Sequence, residues 1–413
     1  MKYLLILTSF FYLTFSFSQN FTPIFGDTIN SGHQITVSSL NFYASKSFNN
    51  NFTNKFIYGG HIDTDLKDFN QSNLRNSNTT GGKAEQKIEY INYNITPFKK
   101  LKNYGVIASI EDHNLFSSNL STDLYNTMFY GNQKYLGDTM DFSYSHFQYL
   151  HYQKLSIGLI HKKLKSNLKL SFVIGNKSID YRLGDTWINS SPQSDSILIQ
   201  LNGEGHHTTN SGANYFATSG YGFAFDFEHN IIYKNKKGNS NVINFTLNNI
   251  GVIFWNSNTH SNYVDSKNNY SGFDIMDLIN RDTSKTLISS DTLNIHNKIE
   301  STAELLPFEL SMQKLANRNS TQKFQMTFGF KAIILSDYTP YIFAGAYYSP
   351  NQKFGISSRL SYGGFGGFKG GLNLNYWIQN KFEITLGTYD VFGLISNKYG
   401  YGKSVHLSTS LKF

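Results

Sequence analysis

The sequence predicts an all-β protein, a single transmembrane antiparallel β-barrel of about 14 strands with a partial plug in its lumen. Three observations predict this fold. Segments of roughly ten residues alternate apolar and polar side chains, as strands of a membrane barrel do. Aromatic residues make up 16% of the chain and charged residues only 15%, where a soluble protein usually carries about a quarter charged residues. An apolar run follows Met1 and Lys2, as in exported proteins.

The amino-terminal run extends over residues 3–17, and Ser16 and Ser18 are small residues of the kind a signal peptidase prefers. We therefore expect a signal peptide over residues 1–18, cleaved near Ser18–Gln19, and a barrel over residues 19–413. The alternative is an amino-terminal membrane helix, for which the run is slightly short and lacks a charged flank on its far side. With the barrel pattern, export predicts the Gram-negative cell outer membrane.

The bulk composition limits the function classes. The chain has no cysteine, which excludes a disulfide framework and thiolate metal sites. The formal net charge of +8 is scattered along the chain, so we expect no nucleic-acid partner. Outer-membrane lipid and lipopolysaccharide are the partners that the barrel prediction implies.

In the first half of the chain, residues 34–48 predict the first strand, and residues 49–83 predict a loop around one short strand at 55–59. Residues 86–95 and 105–111 predict a hairpin, and residues 123–130 allow a short helix. Further strands are predicted over residues 141–152, 154–161, 168–181 and 196–201.

The clearest strand of the middle third is residues 221–233, where Phe223, Phe225 and Phe227 alternate with Asp226 and Glu228. Two inward carboxylates require a face that is wet or paired. The next strand changes its apolar parity from Ile243, Phe245 and Leu247 to Ile250, Val252 and Phe254. This change predicts a β-bulge near Asn248 and Asn249.

Residues 256–302 interrupt the strand rhythm. This polar stretch holds one helix-like piece, residues 273–279, and predicts a long extracellular loop or a segment folded into the lumen. The amino-terminal lead-in is the other candidate plug.

The last third is regular, with strands predicted over residues 307–314, 324–335, 341–348, 354–362, 368–378 and 382–389. The terminal strand, residues 404–413, places Val405, Leu407 and Leu411 on one face and ends on Phe413. We expect it to pair with the first strand and close the barrel, with its aromatic end at the membrane interface.

A periplasmic or secreted β-sandwich would also alternate, but it tiles its outer face with charge. Here the polar faces hold Ser, Thr, Asn and Gly with isolated charges, which indicates a hydrated lumen. The lumen-facing candidates are Asp226, Glu228, Lys331, Arg359, Glu383 and His406. Glycines around Phe365 and Phe368 predict either a flexible turn or a gap in the wall at Gly370 and Gly371.

Three segments carry a family resemblance: Asp123-Leu124-Tyr125 with Gly131-Asn132 and Tyr135-Leu136-Gly137, then residues 249–255, then residues 270–274. They resemble an uncharacterised family of Bacteroidota outer-membrane barrels, although Asn249 stands where that family usually has Asp. The family is distantly similar to the long-chain fatty-acid transporter barrels. The resemblance implies an interior partly filled by chain and an apolar ligand route, and it implies no catalytic or binding residue.

The chemistry-bearing residues predict no catalytic, cofactor or metal site. His206 and His207 are adjacent among Thr, Asn and Gly, which predicts an exposed loop, and His146 and His151 have no Asp or Glu at ligand spacing. His406 is expected to hydrogen-bond in the lumen. No Gly-x-Ser-x-Gly nucleophile elbow is present, so we expect no enzyme.

Two functions remain open at this point. The first is a passive or ligand-gated conduit for small molecules, including hydrophobic ones. The second is a non-transporting barrel that anchors or scaffolds an exported protein assembly.

Overall fold

The computed structural model describes residues 24–25, 32–193, 195–209, 215–236, 238–270, 294–351, 353–379 and 381–413 of the 413 residues. The predicted signal peptide and the helix-like piece at residues 273–279 lie outside the described residues. The strands are β1 (Ile24–Phe25), β2 (His33–Ser45), β3 (Asn78–Asn92), β4 (Tyr104–Leu120), β5 (Thr139–Asp141), β6 (His146–His161), β7 (Asn167–Leu183), β8 (Trp187–Ser190), β9 (Ile197–Thr208), β10 (Gly220–Lys234), β11 (Ser240–Trp255), β12 (Thr259–Tyr270), β13 (Ile295–Glu300), β14 (Ala303–Leu305), β15 (Glu309–Asn317), β16 (Phe324–Ile333), β17 (Thr339–Asn351), β18 (Phe354–Gly364), β19 (Lys369–Ile378), β20 (Phe382–Thr388) and β21 (Gly402–Lys412). The helices are α1 (Asn50–Tyr58), α2 (Thr64–Gln71), α3 (Thr122–Tyr130) and α4 (Val391–Ile395), with a 3₁₀ turn at Gln133–Tyr135.

Fourteen antiparallel strands form one closed barrel, which confirms the predicted fold. They follow one another around the ring as β2, β3, β4, β6, β7, β10, β11, β15, β16, β17, β18, β19, β20 and β21, and β21 pairs with β2. At the closure, Phe413 and His33 exchange two backbone hydrogen bonds of 2.9 and 3.0 Å, and their rings stack 5.4 Å apart. At this seam, therefore, neither β2 nor β21 is left as an open edge.

The two ends of the barrel differ. At the end where β2 begins and β21 ends, short turns connect the strands, for example 162–166 between β6 and β7 and 318–323 between β15 and β16. We call this the short-turn end. At the opposite end, the long-loop end, the connections carry the four α-helices of the described residues and the strands β5, β8, β9, β12, β13 and β14.

The outer wall is apolar. Large apolar side chains are exposed on most barrel strands, including Val37, Ile88, Ile110, Ile157, Leu170, Phe223, Phe328, Ile342, Leu360, Leu374 and Leu386. Exposed aromatic rings flank this band at both ends: Tyr90, Tyr233, Phe324, Tyr348 and Tyr376 toward the short-turn end, and Tyr221, Phe254, Tyr362 and Phe368 toward the long-loop end. Phe223 and Phe328 are 62% and 56% exposed, so they do not interdigitate between two sheets as a sandwich would require.

The predicted bulge is confirmed. The register of β10 with β11 shifts between Phe225, opposite Ile250, and Phe227, opposite Leu247, so that Asn248 and Asn249 both face Asp226. Asn249 has a φ of +60°. The extra residue switches the apolar parity of β11, as the sequence pattern predicted.

Two predicted loops contain regular structure instead. Residues 49–83 hold α1 and α2 before β3 begins, so the strand expected at 55–59 is wrong. Residues 256–302 hold β12 and β13, and β12 pairs along its length with β9 beyond the barrel wall. The short helix allowed over residues 123–130 is α3. Among the described residues, no helix is long and apolar enough to cross a bilayer.

Candidate functional site: the barrel lumen

Charged side chains from seven strands meet in the middle of the lumen. We call them the ion-pair belt, and they are five cations and five carboxylates with one histidine: Lys83, Lys87, Lys154, Lys169, Lys331, Glu85, Glu89, Glu111, Asp226, Glu309 and His113. Strand alternation explains their convergence, since each occupies the parity that points inward. Because burial of an unpaired charge is costly, the equal numbers of both signs make this arrangement possible.

One half of the belt bridges the lumen. The Lys83 Nζ on β3 lies 2.7 Å from Glu85 Oε2 and 2.5 Å from Glu309 Oε1 on β15. β3 and β15 are six places apart around the ring of fourteen. The Lys331 Nζ binds the other oxygen of Glu309 at 2.7 Å, so the Glu309 carboxylate joins two lysines.

The other half is centred on Asp226 and Glu111. The Lys154 Nζ lies 2.8 Å from Asp226 Oδ2 and 3.5 Å from Glu111 Oε2, and the Lys169 Nζ lies 3.2 Å from Glu111 Oε1. His113 connects the halves, with Nε2 3.1 Å from Glu111 and Nδ1 3.4 Å from Glu85. All of these side chains are buried.

The β-bulge completes this half. Because of the extra residue, the backbone N–H of Asn249 donates to Asp226 Oδ1 at 2.8 Å, and the Asn249 side-chain oxygen accepts from Lys154 at 2.8 Å. The sequence predicted the bulge but gave no sign of this role.

Between the belt and the short-turn end lies a polar cavity of about 420 Å³. Its lining includes Ser38, Asn244 and Gln313, together with Ile24 and Phe25 of the amino-terminal segment. Ile24 packs against Ala316, Tyr347 and Trp377. The partial lumen plug stays a prediction.

Between the belt and the long-loop end the lumen is apolar. Buried side chains from the wall form two clusters here: Phe42, Ala44, Ile333, Tyr338, Tyr341, Phe343, Phe365 and Tyr389 in one, and Leu115, Leu150, Tyr152, Val173, Ala224, Ile253, Trp255 and Leu306 in the other. Leu335 packs against both. We call the two clusters with Leu335 the apolar layer.

A turn of the wall reaches across the lumen at this level. Residues 334–338 connect β16 with β17, and the Ser336 carbonyl accepts a 2.8 Å hydrogen bond from Ser117 on β4. Asp337 lies 3.0 Å from His146 Nδ1 on β6. Since β4 and β6 stand on the far side of the ring, this turn carries Leu335 into the centre of the apolar layer.

The sequence-predicted lumen candidates occupy different levels. Asp226 and Lys331 belong to the belt, while Glu228, Glu383 and His406 line the polar cavity. Glu228 accepts hydrogen bonds from Asn167 and Asn244 at 2.8 and 2.9 Å. The Arg359 guanidinium lies in the apolar layer, 3.5 Å from the ring centroid of Tyr389 and within 6 Å of Tyr341 and Phe343.

Gly370 and Gly371 lie on β19 at the level where the neighbouring strand β20 has already ended. β19 pairs with β18 through both glycines, but its pairing with β20 stops at Leu372 and Thr388. On the other side, β20 stops pairing with β21 at Gly387, while β21 continues to Gly402 beside Ala44 of β2. A notch therefore opens between β19 and β21 beyond Thr388.

Helix α4 covers this notch and contacts both flanking strands. A Cβ at Gly370 would lie 3.2 Å from the Phe392 ring, and one at Gly393 would lie 1.8 Å from the Gly402 carbonyl oxygen. Asp390 caps the helix through the Gly393 N–H at 2.7 Å, and Asn50 of α1 donates to the Gly393 carbonyl at 2.9 Å.

The histidine expectations need correction. His206 and His207 lie in strand β9 rather than in a loop, and the Tyr181 hydroxyl contacts His207 Nδ1 at 2.6 Å. Acids do meet His146 and His151, namely Asp337 and Asp112, each at 3.0 Å. Neighbouring strands and a crossing turn supply these acids, so spacing within one segment could not reveal them. In the described part of the chain, no three His, Asp or Glu side chains converge to hold a metal ion.

No family model matches this chain, and no curated protein matches it either. Among solved structures, it is similar to the TodX deltaS2S3 mutant monoaromatic hydrocarbon channel, with 10% identity, a TM-score of 0.41 and coverage of 93% of this chain and 91% of that one. The P. putida toluene transporter TodX gives 9% identity, a TM-score of 0.40 and coverage of 92% and 90%. The translocator domain of the autotransporter NalP from Neisseria meningitidis gives 9% identity, a TM-score of 0.30 and coverage of 94% of this chain and 90% of that one.

Proposed function

We propose that this protein is a barrel of the Gram-negative outer membrane. The support is its apolar outer wall between two sets of exposed aromatic residues, which is how such barrels meet lipid. Short turns face the periplasm and longer loops face the exterior in these barrels, so the short-turn end is periplasmic in this proposal. Outer-membrane lipid and lipopolysaccharide are then its surroundings.

Within that membrane, we propose a gated conduit for small apolar molecules rather than an enzyme. The observation that carries the proposal is the apolar layer, because barrel interiors are normally polar. An apolar solute arriving from the long-loop end would meet side chains able to hold it by burial of apolar surface.

The belt makes a straight aqueous path unfavourable for such a solute. An apolar molecule crossing the belt would have to separate buried ion pairs and could offer the separated charges no hydrogen bonds in return. The notch between β19 and β21 offers a shorter route into the lipid, and Gly370 and Gly371 lie on its edge. We propose that α4 covers this route in the closed state.

The test measures both solute and ion passage. Purified protein is placed in lipid vesicles, and uptake of a small aromatic hydrocarbon is compared with single-channel conductance in a planar bilayer. We expect hydrocarbon uptake above that of protein-free vesicles, together with low ion conductance. Ion conductance without hydrocarbon selectivity would contradict the proposal.

The lateral route has its own variant. Phe392→Ala removes the ring that stands against Gly370 and should speed hydrocarbon uptake without raising ion conductance. Leu394→Ala is the matched control, since Leu394 is an apolar residue of the same helix, and it should leave uptake unchanged. Equal uptake by Phe392→Ala and the unaltered chain would show that the notch is not the route.

A non-transporting scaffold for an exported protein assembly is the second candidate. It is favoured by side chains that fill the lumen at two levels, the belt and the apolar layer. It predicts neither hydrocarbon uptake nor conductance, and an exported protein that co-purifies with the barrel.

A further inference from the structure

One part of the outer wall is polar at a depth where other strands, such as β16 and β19, carry large apolar side chains. On the outward parity of β3, β4 and β6, Gln86, Asp112 and Gln153 lie opposite one another in register, and Asn114 and His151 adjoin them. We call these five residues the outer polar patch. The same ladder carries Glu85, Glu111 and Lys154 on its lumen side, so these strands are polar on both faces.

The depth of the patch places it inside the apolar band. Gln86 is four residues from Tyr90, an aromatic residue at the short-turn end, so with a rise of about 3.3 Å per residue and a tilt of about 40° it lies roughly 10 Å further along the barrel axis. The apolar band of such barrels is about 25 Å tall. On β16, by contrast, Phe328 lies four residues from the short-turn aromatic Phe324 and continues the apolar face at this depth.

Other side chains of the same chain cover the Asp112 carboxylate, which is the charged group of the patch. The Asp112 carboxylate accepts hydrogen bonds from His151 at 3.0 Å, Gln153 at 3.2 Å, Asn114 at 3.0 Å and Tyr215 at 2.6 Å. Tyr215 comes from the β9–β10 connection, and its ring lies 4.4 Å from the His151 ring. His151 is only 4% exposed as a result.

Gln86 is left open. Its side chain is exposed, and its amide has no hydrogen-bond partner among the residues that the structure describes. In hydrocarbon, an unpaired amide is unfavourable by at least about 1–3 kcal/mol, because lipid tails offer neither donors nor acceptors. Ala84 beside it on the same face leaves room for a close neighbour.

We propose that the outer polar patch is an intramembrane interface that takes a second copy of this chain. An amide both donates and accepts, so Gln86 can satisfy the same residue of a symmetry-related copy. A charged partner is disfavoured, because Asp112, the carboxylate of the patch, already accepts four hydrogen bonds. The inference rests on the proposed membrane placement and not on transport.

The absence of native cysteine makes the test direct. Gln86→Cys is placed in lipid vesicles and exposed first to a thiol cross-linker and, separately, to a maleimide that does not cross membranes. The matched control is Phe328→Cys, an outward position across the ring from β3 and 56% exposed. We expect cross-linked dimer at Gln86→Cys and none at Phe328→Cys.

Gln86→Leu provides the second measurement. Leucine is favourable in lipid, so this variant should shift the mass of the particle in lipid nanodiscs from that of an oligomer toward one chain, while Phe328→Leu should not. A single-chain mass for the unaltered protein would overturn the interface.

Maleimide labelling distinguishes the reasons for which Gln86→Cys could fail to cross-link. Labelling of Gln86→Cys without cross-linking would mean that this wall lies in water, and the membrane placement of the patch would be wrong. Neither labelling nor cross-linking would mean that lipid or a different protein covers it, which also overturns the second copy. Hydrocarbon uptake is measured independently and is unaffected by either result.

Discussion

At the scale of single residues, Lys154 shows how the belt depends on pairing. Its ammonium group is buried and contacts Asp226, Glu111 and Asn249. Lys154→Met keeps approximately the length of the side chain but removes a positive charge from beside the Asp226 and Glu111 carboxylates. We expect a loss of about 3–5 kcal/mol in the free energy of unfolding, measured by urea titration of the vesicle-bound protein.

Two further variants test whether this loss of stability comes from the buried ion pairs. Lys298→Met changes an exposed lysine whose ion pair with Glu300 should contribute within about 1 kcal/mol. The double variant Lys154→Met with Asp226→Asn should be less destabilised than Lys154→Met alone, because it restores the charge balance. Equal effects of Lys154→Met and Lys298→Met would show that the belt is hydrated rather than tightly paired.

His206 gives a pH dependence outside the barrel wall. The Glu304 carboxylate, 3.6 Å from His206 Nε2, raises the pKa of His206 above its usual 6.5, and burial opposes this effect. A raised pKa in the folded state stabilises the protein fully below the unfolded pKa and loses that contribution as the pH rises through the folded value.

We therefore expect His206→Gln to be less stable than the unaltered chain at pH 5 and equally stable once the pH exceeds the raised pKa. Amide hydrogen exchange of β9 and β12 measures this local stability. A difference that grows with rising pH would contradict the assignment.

At the scale of elements, the β-bulge in β11 is the part best anticipated by sequence. A parity change is visible in the order of apolar residues alone, whereas the positive φ of Asn249 is a consequence that only the backbone shows. Asn249→Gly keeps the left-handed conformation accessible, but Asn249→Val does not.

We expect Asn249→Val to lower the free energy of unfolding by about 1–3 kcal/mol more than Asn249→Gly does. Both variants lose the side-chain contact with Lys154, so their difference isolates the backbone. Urea unfolding of the two variants in the same vesicles measures it. Equal stability would mean that β11 slips out of its bulge without penalty.

The helices α1 and α2 show where period-two analysis fails. Both lie in a segment rich in Asn, Thr and Asp, where apolar residues are too few to define a face. Their caps were nevertheless present in the sequence: Asn49 accepts from the Phe52 N–H at 3.0 Å and Asp63 from the Leu66 N–H at 2.8 Å. Capping residues are the signal that would have found these helices.

At the scale of the whole molecule, alternation predicted the barrel because every strand repeats the same rule. It also placed Asp226 and Lys331 on inward faces. It could not predict their partners, because Lys83 and Glu309 meet across the lumen from positions 226 residues apart. Such pairs depend on the register of all strands between them, and a one-residue slip in any strand would turn its side chains outward.

The height of the apolar wall leads to a prediction about the bilayer. From Tyr221 to Tyr233 on β10 is twelve residues, which at about 3.3 Å per residue and a tilt of about 45° gives roughly 28 Å along the barrel axis. Mismatch between an apolar wall and the hydrocarbon thickness is unfavourable by fractions of a kcal/mol per Å. Stability should therefore be greatest in bilayers whose hydrocarbon core is about 25–28 Å thick and fall in thicker ones.

Thermal unfolding in vesicles of saturated or mono-unsaturated lipids with increasing chain length measures this dependence. An unfolding temperature that is independent of lipid chain length would mean that the wall is not in contact with hydrocarbon.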